Sequence, residues 1–545
     1  MRRVLGLLSL RRHSGGVSGM ANKGIMYIDG QRVPFDGEPN VLSVIRKAGI
    51  EMPTFCYYSD LSVYGACRMC VVEDERGKIE TSCSMKPRDG LSIRTNTARL
   101  LKHRRMILEL LLASHNCSCT TCEKSGDCRL QELAMRFGVR KVRFGDSREE
   151  SQLDDSSPAV VRDPSKCILC GDCVRMCNEV QNVGAIDFAH RGSKMTISTA
   201  FDVPIAECPP VWAAASASQP ARPGAILVKN DISKVWKALD DPKTKVTVQV
   251  APAVRVALGK ELGLTPGENA MGKIVAALRR MGFDEVYDTS TSADLTVLEE
   301  SNELAKRIAD GKEEMPLFSS CCPAWVRYCE NKYPELMPHV STCKSPMQMF
   351  AAVIRENSRN SSRKSVHVAV MPCTAKKFEA VRDEFKVDGK QDVDYVLTTQ
   401  ELVRMIKESG IMFRDIDPEA VDMPFGTMTG AGVIFGVTGG VTEAVLRRLA
   451  SDKSNTALMS IAYTGVRGME GVKEARVMVG EKEVRIGVVS GLKNASDLIE
   501  RIKAGEHFDF VEVMACPGGC VSGGGQPFAS SAEKEKTRRG ALLGR

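Results

Sequence analysis

The segment VMACPGGCVSGGGQP (residues 513–527) sets Cys516 and Cys520 among five glycines, directly after the β-rich run FVEVMA (510–515). Two other segments repeat that arrangement. VMPCTAKKFE (370–379) places Cys373 after VHVAVM (366–371), and PLFSSCCPAW (316–325) places Cys321 and Cys322 after a short β-like run. Crevices at strand carboxyl ends are where α/β sheets bind ligands, and glycines let the backbone approach a bulky group by removing side chains. With VTVQVA (246–251) and apolar-periodic helices between these runs, the chain from about residue 236 onward reads as α/β. Its site gathers four or five thiolates with Lys376 beside them. Iron–sulfur storage or electron transfer alone needs four cysteines and no lysine.

Toward the N-terminus the cysteines fall into three further clusters. KGIMYIDGQRVPF (23–35) gives two short strand patterns around an Asp29-Gly30 hairpin turn. Cys56, Cys67, Cys70 and Cys83 follow with spacing C-x10-C-x2-C-x12-C. Four thiolates around a central C-x-x-C suit a [2Fe–2S] cluster, with zinc as the competing occupant. Helical periodicity over 98–113 leads into His115, Cys119, Cys122 and Cys128, spaced H-x3-C-x2-C-x5-C, which suit zinc or a [4Fe–4S] cluster. Cys117 lies outside that pattern as a spare thiol. After a polar, Ser/Asp-rich stretch (146–160) read as a linker or surface excursion, Cys167, Cys170, Cys173 and Cys177 give C-x2-C-x2-C-x3-C. This is the bacterial ferredoxin signature, in which three cysteines bind one cluster and the fourth reaches a second.

The signature predicts a partner motif downstream, and only Cys208 stands there, before PPVWAAASASQPARPGAI. A second motif would place cysteines where the chain has Val211, Ala214, Ala217 and Ala221. Read across codon junctions, the shifted frame permits Cys at all four positions, Gly at 213 and Pro at 222. A compensated frameshift over about residues 209–223 is therefore the expectation, against a real loss of the motif.

Composition narrows the class. A chain of 545 residues is too long for one core, and no uncharged apolar run is long enough to span a bilayer. Much of the net charge of +7 comes from Arg2, Arg3, Arg11, Arg12 and Lys23 in an acid-free N-terminal stretch, so the body gives no basis for a nucleic-acid partner. The leader MRRVLGLLSLRRHSGG is Arg-rich, Ser-containing and amphipathic, the make-up of an organelle transit peptide; an ordinary frayed basic terminus is the alternative. Twenty cysteines in tight C-x-x-C clusters suit metal ligation in a reducing compartment better than disulfides.

The three cysteine segments of the C-terminal half resemble, nearly letter for letter, the signature motifs of [FeFe]-hydrogenases. TGAGVIFGVTGGVTEA (429–444) and LTTQELVRMI (397–406) are also similar to that family, and the resemblance covers roughly residues 24–528. It implies a multidomain α+β and α/β fold. A transit peptide (1–23) would precede a β-grasp [2Fe–2S] domain (24–97), a His/Cys3 [4Fe–4S] domain (98–145) and a ferredoxin-like domain for two [4Fe–4S] clusters (146–235). A large α/β H-cluster domain (236–545) would follow.

By the same resemblance, Cys322, Cys373, Cys516 and Cys520 would hold the [4Fe–4S] part of the H-cluster, with Cys520 bridging to the two-iron part that carries CO and CN ligands. Lys376 would donate to a cyanide. Met371 and Met514 would line the site, and Ser320 would help position the diatomic ligands. Cys321 would be the terminal proton donor and acceptor, fed by Glu300, Glu303, Arg307 and Ser341. Glu300, Glu303 and Arg307 fall on one helical face. The implied activity is reversible hydrogen production, with reduced ferredoxin as electron partner, in a hydrogenosome or mitochondrion-related matrix, or a plastid. Hydrogenase maturation factors would be further partners.

The chain ends at TRRGALLGR soon after GGGQPF, where the family continues with a helical segment; truncation or a differently built lid is expected. Cys329 and Cys343 fall outside every motif and are read as helix-packing thiols. Two rival readings share part of the pattern. A wiring subunit of a respiratory dehydrogenase lacks the three C-terminal motifs, and an iron–sulfur assembly factor related to hydrogenases usually loses the Lys motif and the CC pair.

Overall fold

Asp29 and Gly30 both take positive φ (51° and 82°) and turn the Lys23–Ile28 strand back onto Gln31–Asp36 in antiparallel register, Ile28 opposite Gln31. Positive φ at both turn positions matches the right-handed twist of the flanking strands. The computed structural model describes residues 23–59, 61–145, 152–208, 223–259, 261–311, 315–359, 361–426, 429–449, 471–479, 482–527, 538 and 540–542. Residues 1–22 of the expected leader (1–23), residues 209–222 of the second-motif segment (209–223) and residues 528–537 beyond GGGQP lie outside them.

The chain forms two units. The first comprises the described residues of 1–57, 63–111 and 132–144. It is built on a five-stranded mixed sheet in the order Gln31–Asp36, Lys23–Ile28, Ser92–Arg94, Val71–Asp74, Ile79–Thr81. The Val41–Lys47 helix buries Val41, Leu42, Val44 and Ile45, and its Asn40 cap accepts from the Ser43 N–H at 3.0 Å. Cys70 and Cys83 sit within the same apolar core. The helix expected over 98–113 is present as Ala98–Ala113.

The second unit comprises the described residues of 58–62, 112–131 and 145–545. Its catalytic part carries two four-stranded sheets. One is parallel throughout, in the order Glu285–Asp288, Thr244–Val250, Lys364–Met371, Tyr395–Thr398. The other runs Leu317–Phe318, Phe510–Met514, Lys482–Ser490, Val472–Val479, with only the last pair antiparallel. Runs such as VTVQV and FVEVM are buried at nearly every position, as strands covered on both faces must be.

Of the polar stretch 146–160, read as a linker or surface excursion, residues 152–160 are described. Asp154 bridges to Arg162 and accepts from the Ile205 N–H at 2.9 Å, which pins residue 154 to the ferredoxin-like region.

Candidate active site

Both sheets deliver their strand ends to one almost wholly apolar cavity. Val250 leads into Ala251–Ala253 and Asp288 into Thr289. Phe318 leads toward Cys321 and Cys322, Met371 into Pro372 and Cys373, and Met514 into Ala515 and Cys516; all of these loops line the cavity. Cys520 completes the set, and Lys376, Met371 and Met514 lie in the same wall. Segments separated by long stretches of sequence thus meet as the strand pattern predicts.

Ser320 departs from expectation. It is not among the lining residues, and its hydroxyl donates to the Cys343 carbonyl at 2.6 Å. That bond commits the hydroxyl to the Cys343 main chain. Cys343 is likewise not a helix-packing thiol: it lies in the loop before the Pro346–Asn357 helix, with Sγ 3.7 Å from Glu303 Oε2. Cys329 does pack within a helix, fully buried in Pro323–Lys332.

Gly519 has φ +91°, and a Cβ there would sit 2.6 Å from the Thr438 nitrogen. A Cβ on Gly523 would run into the Pro372 carbonyl oxygen. The loop carrying Cys520 is therefore packed backbone against backbone.

Lys376 is buried. Its Nζ donates to Glu379 at 2.8 Å and to the Cys321 carbonyl at 3.3 Å. Burial alone would lower its pKa, but the Glu379 carboxylate and the nearby sulfurs hold it above its ordinary value. The ammonium therefore stays charged inside an apolar wall. Burial, then Glu300 and Glu512, push the Cys321 thiol well up, so it stays protonated.

The Ser290–Asp310 helix carries the polar approach. Arg307 donates to Glu303 Oε1 and the Ser341 hydroxyl to Oε2, each at 2.7 Å. Glu300 is fully buried; the Ser320 amide and Ser341 hydroxyl face it without closing a bond to either oxygen. Burial, then Glu512 and Glu303, raise its pKa to about 8, so at neutral pH it is chiefly the neutral acid.

Glu512 escaped the sequence reading. It is fully buried and accepts from Gly439 N (2.7 Å), Thr442 N (2.8 Å) and Thr442 Oγ1 (2.7 Å), so it caps the Gly440–Leu449 helix beside the Cys520 loop. The signal was present as one acid inside the apolar run FVEVM.

Each N-terminal motif has its own setting. The Phe55 N–H donates to Cys67 Sγ and the Cys67 N–H to Cys56 Sγ, both at 3.4 Å, and Cys70 lies beside Cys83. His115, Cys119, Cys122 and Cys128 lie around the short Cys119–Thr121 turn in residues 112–131, with Cys117 exposed beside them. Cys167, Cys170 and Cys173 line one small apolar cavity, whereas Cys177 does not and instead accepts from the Ala185 N–H at 3.3 Å. That three-plus-one division suits a ferredoxin-type motif.

The donor set fits iron–sulfur chemistry. Soft thiols converge in an apolar wall, backbone N–H groups point at sulfur, and glycines let the Cys520 loop pack closely against the neighbouring backbone. The family described as "Iron only hydrogenase large subunit, C-terminal domain" matches residues 244–524. The chain belongs to the iron hydrogenase family.

Upstream, residues 25–98 match "2Fe-2S iron-sulfur cluster binding domain" and residues 104–143 match "NADH-ubiquinone oxidoreductase-G iron-sulfur binding region". Residues 157–207 match "NADH-quinone oxidoreductase subunit 3, ferredoxin-like domain". The chain is 42% identical to NADP-reducing hydrogenase subunit HndD of Solidesulfovibrio fructosivorans, over 92% of this chain and 88% of that one. It is 34% identical to Iron hydrogenase 1 of Clostridium pasteurianum, over 93% and 90%. A solved structure of a variant of [FeFe]-hydrogenase HydA1 from Chlamydomonas reinhardtii matches with a TM-score of 0.50 and 36% identity, covering 58% of this chain and 88% of that one. The chain thus joins an H-cluster hydrogenase domain to 2Fe–2S and ferredoxin-like 4Fe–4S domains.

Proposed function

We propose that this protein interconverts protons and electrons with molecular hydrogen, exchanging its electrons with ferredoxin. The observation that carries this reading is the convergence of Cys322, Cys373, Cys516 and Cys520 with Cys321 and Lys376 on one apolar cavity. Those four thiolates would hold the H-cluster, whose two-iron part would be delivered by maturation factors. When bound, the cofactor supplies the redox chemistry that joins two protons and two electrons.

The side chains do the rest. Arg307 and Ser341 orient the Glu303 carboxylate at the outer end of the path. Once the Cys321 sulfur has given up its own proton, Glu300, held chiefly as the neutral acid, can hand its proton to that sulfur and be reprotonated from the Glu303 side. Cys321 Sγ then presents the proton to the cavity. Lys376, clamped by Glu379, keeps a positive charge in a wall that otherwise excludes water. This acid–thiol path sets the reading apart from an iron–sulfur assembly role, which has no proton to move.

A second reading of the electron partner rests on the likeness to a subunit named for NADP reduction. There a nucleotide-linked partner subunit, not ferredoxin, would feed the N-terminal clusters. The leader supports import into a hydrogenosome or mitochondrion-related matrix, which a fluorescent fusion of residues 1–23 tests by its location.

Anaerobic protein matured in a host with hydrogenase maturation factors should evolve hydrogen from reduced ferredoxin and show cyanide and carbonyl infrared bands. Activity with NADPH and an added flavoprotein subunit, but none with ferredoxin, would establish the second partner. Mature protein with those bands and no hydrogen turnover would end the enzymatic reading.

A further inference from the structure

The turn Ser341–Thr342–Cys343 cups one carboxylate. Glu303 Oε2 receives the Ser341 hydroxyl at 2.7 Å, the Thr342 N–H at 3.2 Å and Cys343 Sγ at 3.7 Å, within reach of a sulfur hydrogen bond. Arg307 holds Oε1, where the Thr342 N–H also reaches at 3.4 Å. The main chain of Cys343 works in two further directions. Its N–H donates to Ser341 Oγ at 3.2 Å, and its carbonyl accepts the Ser320 hydroxyl at 2.6 Å, one residue before Cys321. Residue 343 therefore touches the outer carboxylate, the hydroxyl that orients it and the segment bearing the inner thiol.

We propose that Cys343 is a positioning residue of the proton path, its Sγ–H fixing the Glu303 carboxylate while its main chain holds Ser341 and Ser320 in register with Cys321. The proposal rests on the hydrogenase reading above for its consequence, though not for the contact itself. Burial first, then the Glu300 and Glu303 charges, push the Cys343 thiol up to about 12, so it stays a neutral donor at any working pH. A neutral donor suits this place: it restrains the carboxylate without adding a charge that would compete with Arg307. Without it, Glu303 keeps Arg307, Ser341 and the Thr342 N–H but loses one of the three donors on Oε2. Proton delivery toward Glu300 then passes through a less ordered geometry.

Thiol S–H stretching falls in an infrared window clear of other protein bands, so the contact can be read without turnover. In the full-length protein, the band lost in Cys343→Ala identifies Cys343; in Glu303→Ala that band should move to higher frequency as its acceptor disappears. In matured protein, Cys343→Ala should slow hydrogen evolution about five- to tenfold, what one lost hydrogen bond of this kind is worth. Its solvent isotope effect should rise while the cluster spectra stay unchanged. Cys343→Ser, which keeps a donor, should recover most of the rate.

A band indifferent to residue 303, a Cys343→Ala variant at full rate, or alanine and serine variants equally slow would each overturn the proposal. So would failure of both variants to fold, since that makes the residue a packing element. Wild-type protein that carries its clusters yet makes no hydrogen sinks the hydrogenase reading instead, and leaves the S–H measurement to judge the contact.

Discussion

Gln181 donates from Nε2 to the backbone carbonyl of Ala515 at 3.3 Å. This buried bond ties the segment after Cys177 to the residue before Cys516, so the ferredoxin-like region and the cavity wall share a direct polar link. Asn182 adds a second, donating to the Tyr328 hydroxyl at 3.3 Å.

Gln181→Ala should therefore slow electron-coupled hydrogen turnover several-fold. Isotope exchange between H2 and D2O, which needs no external electrons, should stay at the wild-type rate. The buried Ala515 carbonyl would lose a partner, costing about 1–3 kcal/mol. Parallel assays on one preparation, with reduced viologen and by mass-spectrometric exchange, check both halves.

Glu300 gives a stability prediction with a definite sign. Its folded pKa of about 8 stands above its ordinary value of 4.5, so the fold retains a proton that the unfolded chain releases over that range. Stability tied to this group is full below the unfolded value and is lost as pH rises through the folded one. At about 1.4 kcal/mol per unit, the loss totals on the order of 4–5 kcal/mol. Glu300→Gln should match wild type in thermal midpoint near pH 4 and exceed it increasingly up to about pH 8, measured on cluster-free protein. The same variant should evolve almost no hydrogen, because glutamine cannot relay a proton.

Lys376→Met leaves Glu379 buried without its ammonium. Breaking a buried pair on one side costs about 3–5 kcal/mol. Denaturant titration should register that loss, and Lys376→Met with Glu379→Leu should regain most of it. Neither variant should show wild-type cyanide bands, so the double variant separates folding from cofactor placement.

Gly523→Ala puts a methyl against the Pro372 carbonyl. Overpacking of this kind costs about 1–3 kcal/mol. Iron bound by the catalytic domain should fall while the [2Fe–2S] signal of the first unit persists, as electron paramagnetic resonance of the reduced protein would report.

Spacing and strand pattern made the cysteines and their strand-end placement legible. Cys322, Cys373 and Cys516 each follow a run whose alternation or apolarity announces a strand, and the helix over 98–113 announced itself by period. What escaped was set by contacts between residues far apart in sequence. Cys343 reads as an ordinary thiol until the fold brings Glu303 to it. Ser320 looks like part of the cavity until its hydroxyl is found on Cys343. Asp154 reads as linker because the Ile205 N–H that it accepts from lies 51 residues further along the chain. Glu512 was visible as an anomaly in its strand, but the helix N-terminus that accommodates it belongs to a segment 70 residues away.

Beside Cys321, the cavity wall gathers Cys322, Cys373, Cys516 and Cys520, and both sheets must close before these four meet. A ribosome-bound chain that has made Cys322 and Cys373 still lacks the strand that brings the other two. The site therefore acts as a test of completion: only a finished catalytic domain offers all four sulfurs, and a chain cut short anywhere before Cys520 has no seat to fill. The connectivity of the two sheets thus ties the complete set of these sulfurs to the complete domain.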